Sequence, residues 1–171
     1  MKFCGVAGLA LALAACGGEA PKQEEAATEP PETLAAGLYE VSAEVTALAS
    51  TDNTTPATKL KQGDKQVVKA CVGEGGKPEP ALLAEEGDKC EVKNSYIRYG
   101  RMSAQMSCTR DGAQGLVMPA MAGSYGDGTF EGDINTLTYF SADGDYRMTR
   151  KVTAKRVGDC PAGGAESAKA S

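Results

Sequence analysis

The sequence contains no histidine and no tryptophan, and its six cysteines include no Cys-X-X-Cys pair. Without histidine the chain cannot build a Ser-His-Asp or Cys-His catalytic arrangement. A zinc centre is disfavoured for the same reason, because zinc in proteins is held mainly by closely spaced cysteines and histidines. The chain also has no P-loop and no G-X-G-X-X-G segment opening a helix. We therefore expect no metal, no cofactor and no catalytic residue of these classes.

The start of the sequence has the order of an export signal. Lys2 is followed by an apolar run from Val6 to Ala15, which is too short to span a bilayer. The run ends in Leu-Ala-Ala-Cys, which matches the lipobox of bacterial lipoproteins, in which the cysteine is lipidated and becomes the new first residue. We predict that residues 1–15 are a lipoprotein signal peptide and that Cys16 carries the lipid anchor.

Lipidation of Cys16 predicts a protein that sits on a membrane without crossing it, because several acyl chains bury enough methylene groups for stable anchoring. Gly17 and Gly18, rather than an aspartate, follow the cysteine. This order is typical of lipoproteins sorted to the outer membrane of Gram-negative bacteria. We expect a periplasmic protein anchored to that membrane.

The composition on either side of the central region is typical of unfolded chain. Residues 16–36 are rich in alanine, glutamate and proline, which predicts a flexible acidic tether behind the lipidated cysteine. Residues 161–171 are expected to be a disordered tail. The β domain between them, residues 37–160, has about 125 residues, enough for one domain and not two.

Cysteine usage agrees with export. Cys4 should leave with the signal peptide and Cys16 should be lipidated, which leaves an even number: Cys71, Cys90, Cys108 and Cys160. In an oxidising periplasm two disulfides are expected, and four cysteines allow three pairings.

Alternating apolar and polar residues predict a hairpin over residues 90–108. One face of its second strand carries Met102, Ala104, Met106 and Cys108. Its first strand should carry Cys90, Val92 and Tyr96 on one face, with the turn at Tyr99-Gly100. Such a hairpin places Cys90 opposite Cys108, which favours that bridge and leaves Cys71 for Cys160. The alternative is a local Cys71–Cys90 bridge.

The same alternation predicts the fold class. Further strands are expected over residues 39–45, 65–72, 116–125 and 130–139, and a last strand carries Tyr146, Met148, Val152 and Ala154 on one face. The prediction is a mainly β domain, an antiparallel meander of six to eight strands that forms a small barrel or a curved two-layer sheet. Residues 79–86 are predicted to be one short helix in a crossover between strands.

Acidic residues are the main candidates for catalytic groups in this sequence. Asp127, Glu131, Asp133, Asp143 and Asp145 could supply the two carboxylates of a glycosidase. They lie near glycines, however, where aspartate commonly serves turns by bonding local backbone, and their spacing is not that of an EF-hand loop. The turn interpretation is preferred over both the enzyme and a calcium site.

Basic residues cluster near the end of the chain. A stripe for an anionic partner, such as a lipid headgroup or a sugar acid, could be formed by Arg147, Arg150, Lys151, Lys155 and Arg156. The alternative is a solvated face or a protected sheet edge. The net charge of −5 argues against nucleic acid as the partner.

The sequence resembles a family of small exported proteobacterial proteins, the domain-of-unknown-function 3617 family. The resemblance rests on AAGLYEVS at residues 35–42, the cysteines at 71 and 90, SCTRDG, and KRVGDC at residues 155–160, in that order. Tyr39 stands where the family usually has tryptophan. The resemblance covers about Leu34 to Cys160 and implies a β-rich periplasmic domain with disulfides. It implies no activity.

These observations favour a non-catalytic envelope lipoprotein, a binding or structural module that contacts an envelope protein or a small apolar ligand. The alternatives are a carboxylate-dependent envelope hydrolase and a proteinaceous inhibitor of an envelope-attacking enzyme.

Overall fold

The chain forms one antiparallel sheet. The computed structural model describes residues 31–77, 79–80, 83–161 and 168–169. Seven long strands and one two-residue strand follow each other: β1 Gly37–Ser50, β2 Lys65–Val72, β3 Asp88–Arg98, β4 Arg101–Arg110, β5 Gly115–Gly126, β6 Thr129–Phe140, β7 Tyr146–Gly158 and β8 Ala168–Lys169. The predicted signal peptide, Cys16 and most of the tether lie outside the described residues. Within the described ranges, no helix has the length and apolar character to cross a bilayer.

The strand order is β3-β4-β5-β6-β7-β1-β2-β8, so a five-strand meander is extended by β1, which pairs with both β7 and β2. The sheet curls into a half-barrel and stays open, because β3 and β2 do not pair with each other across the described strands. The predicted antiparallel β meander is confirmed, with the sheet curled short of a closed barrel.

Strict alternation explains which face of the sheet is buried. In β4, Met102, Ala104, Met106 and Cys108 are buried as predicted. In β7 the inner face carries Tyr146, Met148 and Val152. These side chains pack with inner residues of β1, β5 and β6 into the core of the half-barrel.

The β3–β4 hairpin turns at the predicted position. Tyr99 and Gly100 have φ of 51° and 71°. Positive φ at both central residues is the geometry of a type I′ turn, which suits the twist of a two-residue hairpin. The resulting register places Cys90 opposite Cys108, with 4.0 Å between their Cα atoms, and the two form a disulfide.

The predicted face of Tyr96 is wrong. A β-bulge shifts the register between Val92 and Asn94, so the residues that follow change face relative to Cys90 and Val92. Ile97 now packs against the core, and Tyr96 lies outside with 54% of its surface exposed. A one-residue insertion reverses every later side chain because the period of a strand is two.

The core extends beyond the strands. Leu34 is buried, and the hydroxyl of Tyr39 donates to the carbonyl of Ala35 at 2.7 Å. The domain therefore begins before residue 37, within the segment predicted as tether. Leu83 from the β2–β3 crossover is also buried, and the cavity that remains between these side chains is only about 20 Å³.

The described residues of the crossover from β2 to β3 form no α-helix, only tight turns. A three-residue 3-10 turn occupies Glu74–Gly76, and the amides of Leu83 and Ala84 both donate to the carbonyl of Pro80 in a tight turn. Of the predicted helix 79–86, residues 81–82 lie outside the described part of the chain. The Glu85 carboxylate accepts hydrogen bonds from Thr58 of the β1–β2 loop and from Tyr146 of β7, which fixes this segment in an irregular conformation.

Cys71 and Cys160 form the second disulfide, with 5.8 Å between their Cα atoms. It joins β2 to the residues that follow β7, and β1 lies between these two strands. Both disulfides are therefore those that the hairpin register favours. Beyond Cys160, β8 pairs with Val68 and Lys69 of β2. The disordered tail over residues 161–171 stays a prediction. Residues 162–167 and 170–171 lie outside the described part.

Removing the Cys71–Cys160 disulfide should lower the melting temperature more than removing Cys90–Cys108. The two bridges span 89 and 18 residues, and the entropy lost by the unfolded chain grows with loop length. Each loss should lower the free energy of unfolding by about 2 to 4 kcal/mol. The measurement compares Cys71→Ser/Cys160→Ser with Cys90→Ser/Cys108→Ser by thermal denaturation. A larger loss for the shorter bridge would contradict this explanation.

Candidate functional site

Buried charges meet on the inner face of the sheet. Arg150 of β7 is 3% exposed and Glu85 of the crossover is 8% exposed. Arg110 at the end of β4, Asp88 at the start of β3 and Tyr146 at the start of β7 complete the group. We call these five residues the charged cluster. Its two arginines and two carboxylates balance in charge, as buried ions in proteins generally must.

Arg110 is the best-paired member of the charged cluster. Its Nε and Nη2 donate to the two oxygens of Asp88 at 2.7 and 2.9 Å, a bidentate arrangement. Its Nη2 also lies 3.1 Å from Oε1 of Glu85, and its Nη1 donates to the carbonyl of Ala57 at 2.6 Å. Burial alone would lower the pKa of Arg110, but the Asp88 and Glu85 carboxylates outweigh it and raise the pKa above its ordinary value.

Glu85 accepts hydrogen bonds at both oxygens. The Tyr146 hydroxyl donates to Oε1, and the Thr58 hydroxyl donates to Oε2 at 2.6 Å. Burial and the negative charge of Glu85 raise the pKa of Tyr146, so the phenol stays protonated as a donor. Both carboxylate oxygens of Glu85 are therefore occupied within the protein, by the two hydroxyls and by the ion pair with Arg110. We interpret it as a structural carboxylate rather than a catalytic one.

The side chain of Arg150 binds backbone carbonyls of the β2–β3 crossover. Its guanidinium donates to the carbonyls of Leu83 and Ala84, the second at 3.3 Å. Burial lowers the pKa of Arg150, and its Nε has no hydrogen-bond partner among the described residues. The prediction that Arg150 belongs to a stripe for an anionic partner is therefore wrong. Arg150 follows Tyr146 and Met148 at a spacing of two, so strand geometry turns it inward despite its charge.

The remaining basic residues do not form one stripe. Arg147, Lys151 and Lys155 point to the outer face, whereas Arg156 lies on the inner side and its Nε donates to the carbonyl of Ala36 at 2.9 Å. Arg156 also forms an ion pair with Asp159. The five predicted residues are thus divided between two faces and both ends of β7.

Outer lysines face carboxylates. Lys151 lies 3.0 Å from Glu131, and the neighbouring strands place Asp133 and Glu44 opposite it. Side-chain hydrogen bonding and charge from Glu131 raise the pKa of Lys151. Glu44 in turn lies 3.1 Å from Lys65. Charges of both signs alternate across this part of the sheet, which leaves little net potential to attract an anion.

The acidic residues considered for catalysis do not converge. Glu131 and Asp133 lie on the outer face beside Lys151, whereas Asp127 and Asp143 lie in turns at opposite ends of the sheet. Asp145 accepts hydrogen bonds from the Thr138 hydroxyl and the Phe140 amide at 3.0 and 2.7 Å, a local backbone role. The described residues contain no group of three or more acidic or cysteine side chains placed to hold a metal ion.

Asp52, which the sequence patterns did not single out, organises the loop beside the charged cluster. Its Oδ1 accepts from the amide and hydroxyl of Thr54 and from the Ser50 hydroxyl. Its Oδ2 accepts from the amides of Gly144 and Asp145 at 2.8 and 2.9 Å. The hydrogen bonds from Thr54, followed by those from the two amides, hold the pKa of Asp52 well below its usual range.

Apolar side chains are exposed on the outer face of β5 and β6. Leu116 pairs with Tyr139 and Met118 pairs with Leu137, and Leu116, Met118 and Tyr139 are 42%, 43% and 54% exposed. We call these four residues the outer apolar patch. Arg147 of β7 lies opposite Leu137 at its edge. Contiguous exposed apolar surface rimmed by polar residues commonly marks an interaction site.

Replacing Glu85 by alanine should lower the free energy of unfolding by about 3 to 5 kcal/mol, because it removes one carboxylate from a balanced buried group. The control is Glu131→Ala, which removes an exposed ion pair with Lys151 and should change stability by at most about 1 kcal/mol. Urea denaturation with the disulfides intact measures both. An equal loss in the two variants would show that the charged cluster does not stabilise the fold.

Replacing Asp52 by asparagine should destabilise the protein in a pH-dependent way. A carboxylate whose pKa is lower in the folded chain stabilises the fold above its unfolded pKa of about 3.9, and this contribution is lost as the pH falls through its folded pKa. The difference in unfolding free energy between the parent chain and Asp52→Asn should therefore be full at neutral pH and shrink below about pH 4. A difference that does not change with pH would contradict this role of Asp52.

Comparison with known proteins identifies the family and no activity. No curated protein and no solved structure matches the chain. The model of the family described as protein of unknown function (DUF3617) matches residues 34–160, which include every long strand and both disulfides. The match begins at the buried Leu34, where the structure also begins the domain. The chain belongs to the DUF3617 family.

Proposed function

We propose that the protein is a lipid-anchored, non-catalytic module of the bacterial cell envelope that binds a partner protein through the outer apolar patch. The single observation that carries this proposal is the patch itself, in which Leu116, Met118 and Tyr139 are each more than two-fifths exposed. Tyrosine, methionine and arginine are enriched at protein interfaces, and the patch has Tyr139, Met118 and the adjacent Arg147.

The interior is a weaker candidate for the binding site. Leu34 and Leu83 fill the half-barrel and leave a cavity of about 20 Å³. Pockets for small ligands typically have about 300 to 1,000 Å³. A small apolar ligand would therefore have to displace the crossover that the charged cluster holds, which favours a partner on the outer face.

The proposal includes the lipid anchor at Cys16, which the lipobox sequence supports, and a periplasmic location at the outer membrane, which Gly17 and Gly18 after the cysteine support. The tether would enter the domain beside Tyr125, whose hydroxyl donates to the Glu32 carbonyl at 2.6 Å. Leu116 lies at the other end of the same strand, about 30 Å away at the usual rise per residue. The outer apolar patch would thus lie at the end of β5 opposite to the point where the tether enters.

A photoreactive residue at Met118 should crosslink one envelope protein in living cells. The same residue at Thr153, which is exposed on the outer face of β7, is the positional control. Tyr139→Ser should abolish the crosslink from position 118, because it removes the neighbouring apolar surface. Val157→Ser is the matched control, since Val157 is 49% exposed and lies outside the patch.

Crosslinking only to lipid, or a protein crosslink that Tyr139→Ser leaves unchanged, would overturn the proposed patch function. The anchor is tested separately. Cys16→Ala should move the protein from the membrane to the soluble fraction and remove its lipid mass. Recovery of the parent chain in the soluble fraction, without lipid, would overturn the proposed lipid anchor. It would not affect the test of the outer apolar patch by crosslinking.

A further inference from the structure

A second surface on the outer face differs from the outer apolar patch in chemistry. It is a groove of about 480 Å³ that crosses β3, β4, β5 and β6. None of its lining residues is charged, although 24% of the chain is. Its outward polar side chains are amides and hydroxyls, from Asn94, Tyr96, Ser103, Gln105 and Asn135. We call it the amide groove.

Sheet register builds the floor and walls of the amide groove. One row across the strands runs from Asn94 through Gln105 and Ala120 to Asn135. The next row runs from Tyr96 through Ser103 to Ala122, and Asp133 of β6 follows Ala122 just outside the lining. The two alanines are too small to fill the space between larger neighbours, so the surface is concave over β5.

The β-bulge in β3 places the groove's aromatic residue. Without the register shift between Val92 and Asn94, Tyr96 would share the inner face with Val92. The bulge turns Asn94 and Tyr96 outward together, and 54% of the tyrosine is exposed. Bulges are over-represented where a strand must re-aim a side chain for function.

Several polar groups of the amide groove have hydrogen-bond donors or acceptors that no described residue satisfies. Asn135 accepts a hydrogen bond at Oδ1 from the Thr149 hydroxyl at 2.9 Å, which fixes its amide, and no described residue accepts from its Nδ2. Asn94 Nδ2 lies 3.4 Å from Gln105 Oε1, a long contact. The hydroxyls of Tyr96 and Ser103 bond to no side chain or backbone atom within the described part of the chain.

We propose that the amide groove binds a neutral carbohydrate. Each sugar hydroxyl both donates and accepts a hydrogen bond, and carboxamides offer donors and an acceptor side by side. The face of a pyranose ring carries C–H groups that pack on an aromatic ring such as Tyr96. The absence of charge in the lining disfavours a sugar acid or a phosphate. This inference goes beyond the proposed protein partner and does not depend on the lipid anchor.

The experiment titrates the full-length purified protein, labelled with nitrogen-15, with four neutral tetrasaccharides built from glucose, galactose, mannose or N-acetylglucosamine. At millimolar sugar, at least one should shift the amide signals of residues 94–96, 103–105, 120–122 and 135 and leave those of the charged cluster unchanged. High salt should not weaken the interaction, because no ionic contact is involved.

Tyr96→Ala should weaken binding at least about tenfold, and Asn135→Ala should weaken it as well. Tyr99→Ala is the matched control, because Tyr99 is a tyrosine 60% exposed at the adjacent turn and outside the amide groove. It should change affinity less than about twofold. Unshifted signals in β1 and β7 confirm that each variant is folded.

Three results would overturn the proposal: no shift with any of the four sugars, shifts confined to other surfaces, or equal affinity in Tyr96→Ala and the parent chain. Shifts at the outer apolar patch alone would count against the amide groove. Because the titration uses no partner protein and no membrane, its failure would leave the proposed partner surface and anchor standing.

Discussion

The fold depends on the buried charge pairing that holds the β2–β3 crossover against an open sheet. A half-barrel leaves one side of its core uncovered, and here the crossover covers it with Leu83. Arg150 donates hydrogen bonds to the carbonyls of Leu83 and Ala84. Tyr146 donates a hydrogen bond to Glu85, and Arg110 forms an ion pair with it. A closed barrel would not need such a cover, because its strands would pair on all sides.

The disulfides act at the edges of this arrangement. Cys90–Cys108 joins the edge strand β3 to its neighbour, and Cys71–Cys160 joins β2 to the end of β7 across β1. The edge strand β3 and the strand β2, which lies next to the two-residue edge strand β8, are therefore each tied to another part of the sheet by a covalent bond. Edge strands are the parts of a sheet most prone to fraying and foreign pairing, and a short tail strand, Ala168–Lys169, adds pairing at β2.

The apolar interior is filled except for a cavity of about 20 Å³, whereas the outer face is open to partners. The outer face has three regions of different chemistry: paired charges around Lys151, the outer apolar patch around Met118, and the uncharged amide groove beside Tyr96. The paired charges neutralise each other, which explains why a cluster of basic residues in the sequence need not attract an anion. The other two regions expose apolar side chains in one case and uncharged polar side chains in the other.

Sequence alternation alone determined most of the sheet, because a strand that buries one face must place apolar residues at every second position. It also favoured the Cys90–Cys108 pairing over a local Cys71–Cys90 bridge, because Tyr99-Gly100 permits the tight turn that fixes the hairpin register. Only the tertiary structure decided where Tyr96 and Arg150 lie. The bulge that turns Tyr96 outward depends on pairing with β4, which one strand's pattern does not encode. Arg150 stays buried only because Glu85 and two carbonyls from a distant crossover compensate its charge, and such long-range compensation becomes visible when the chain is folded.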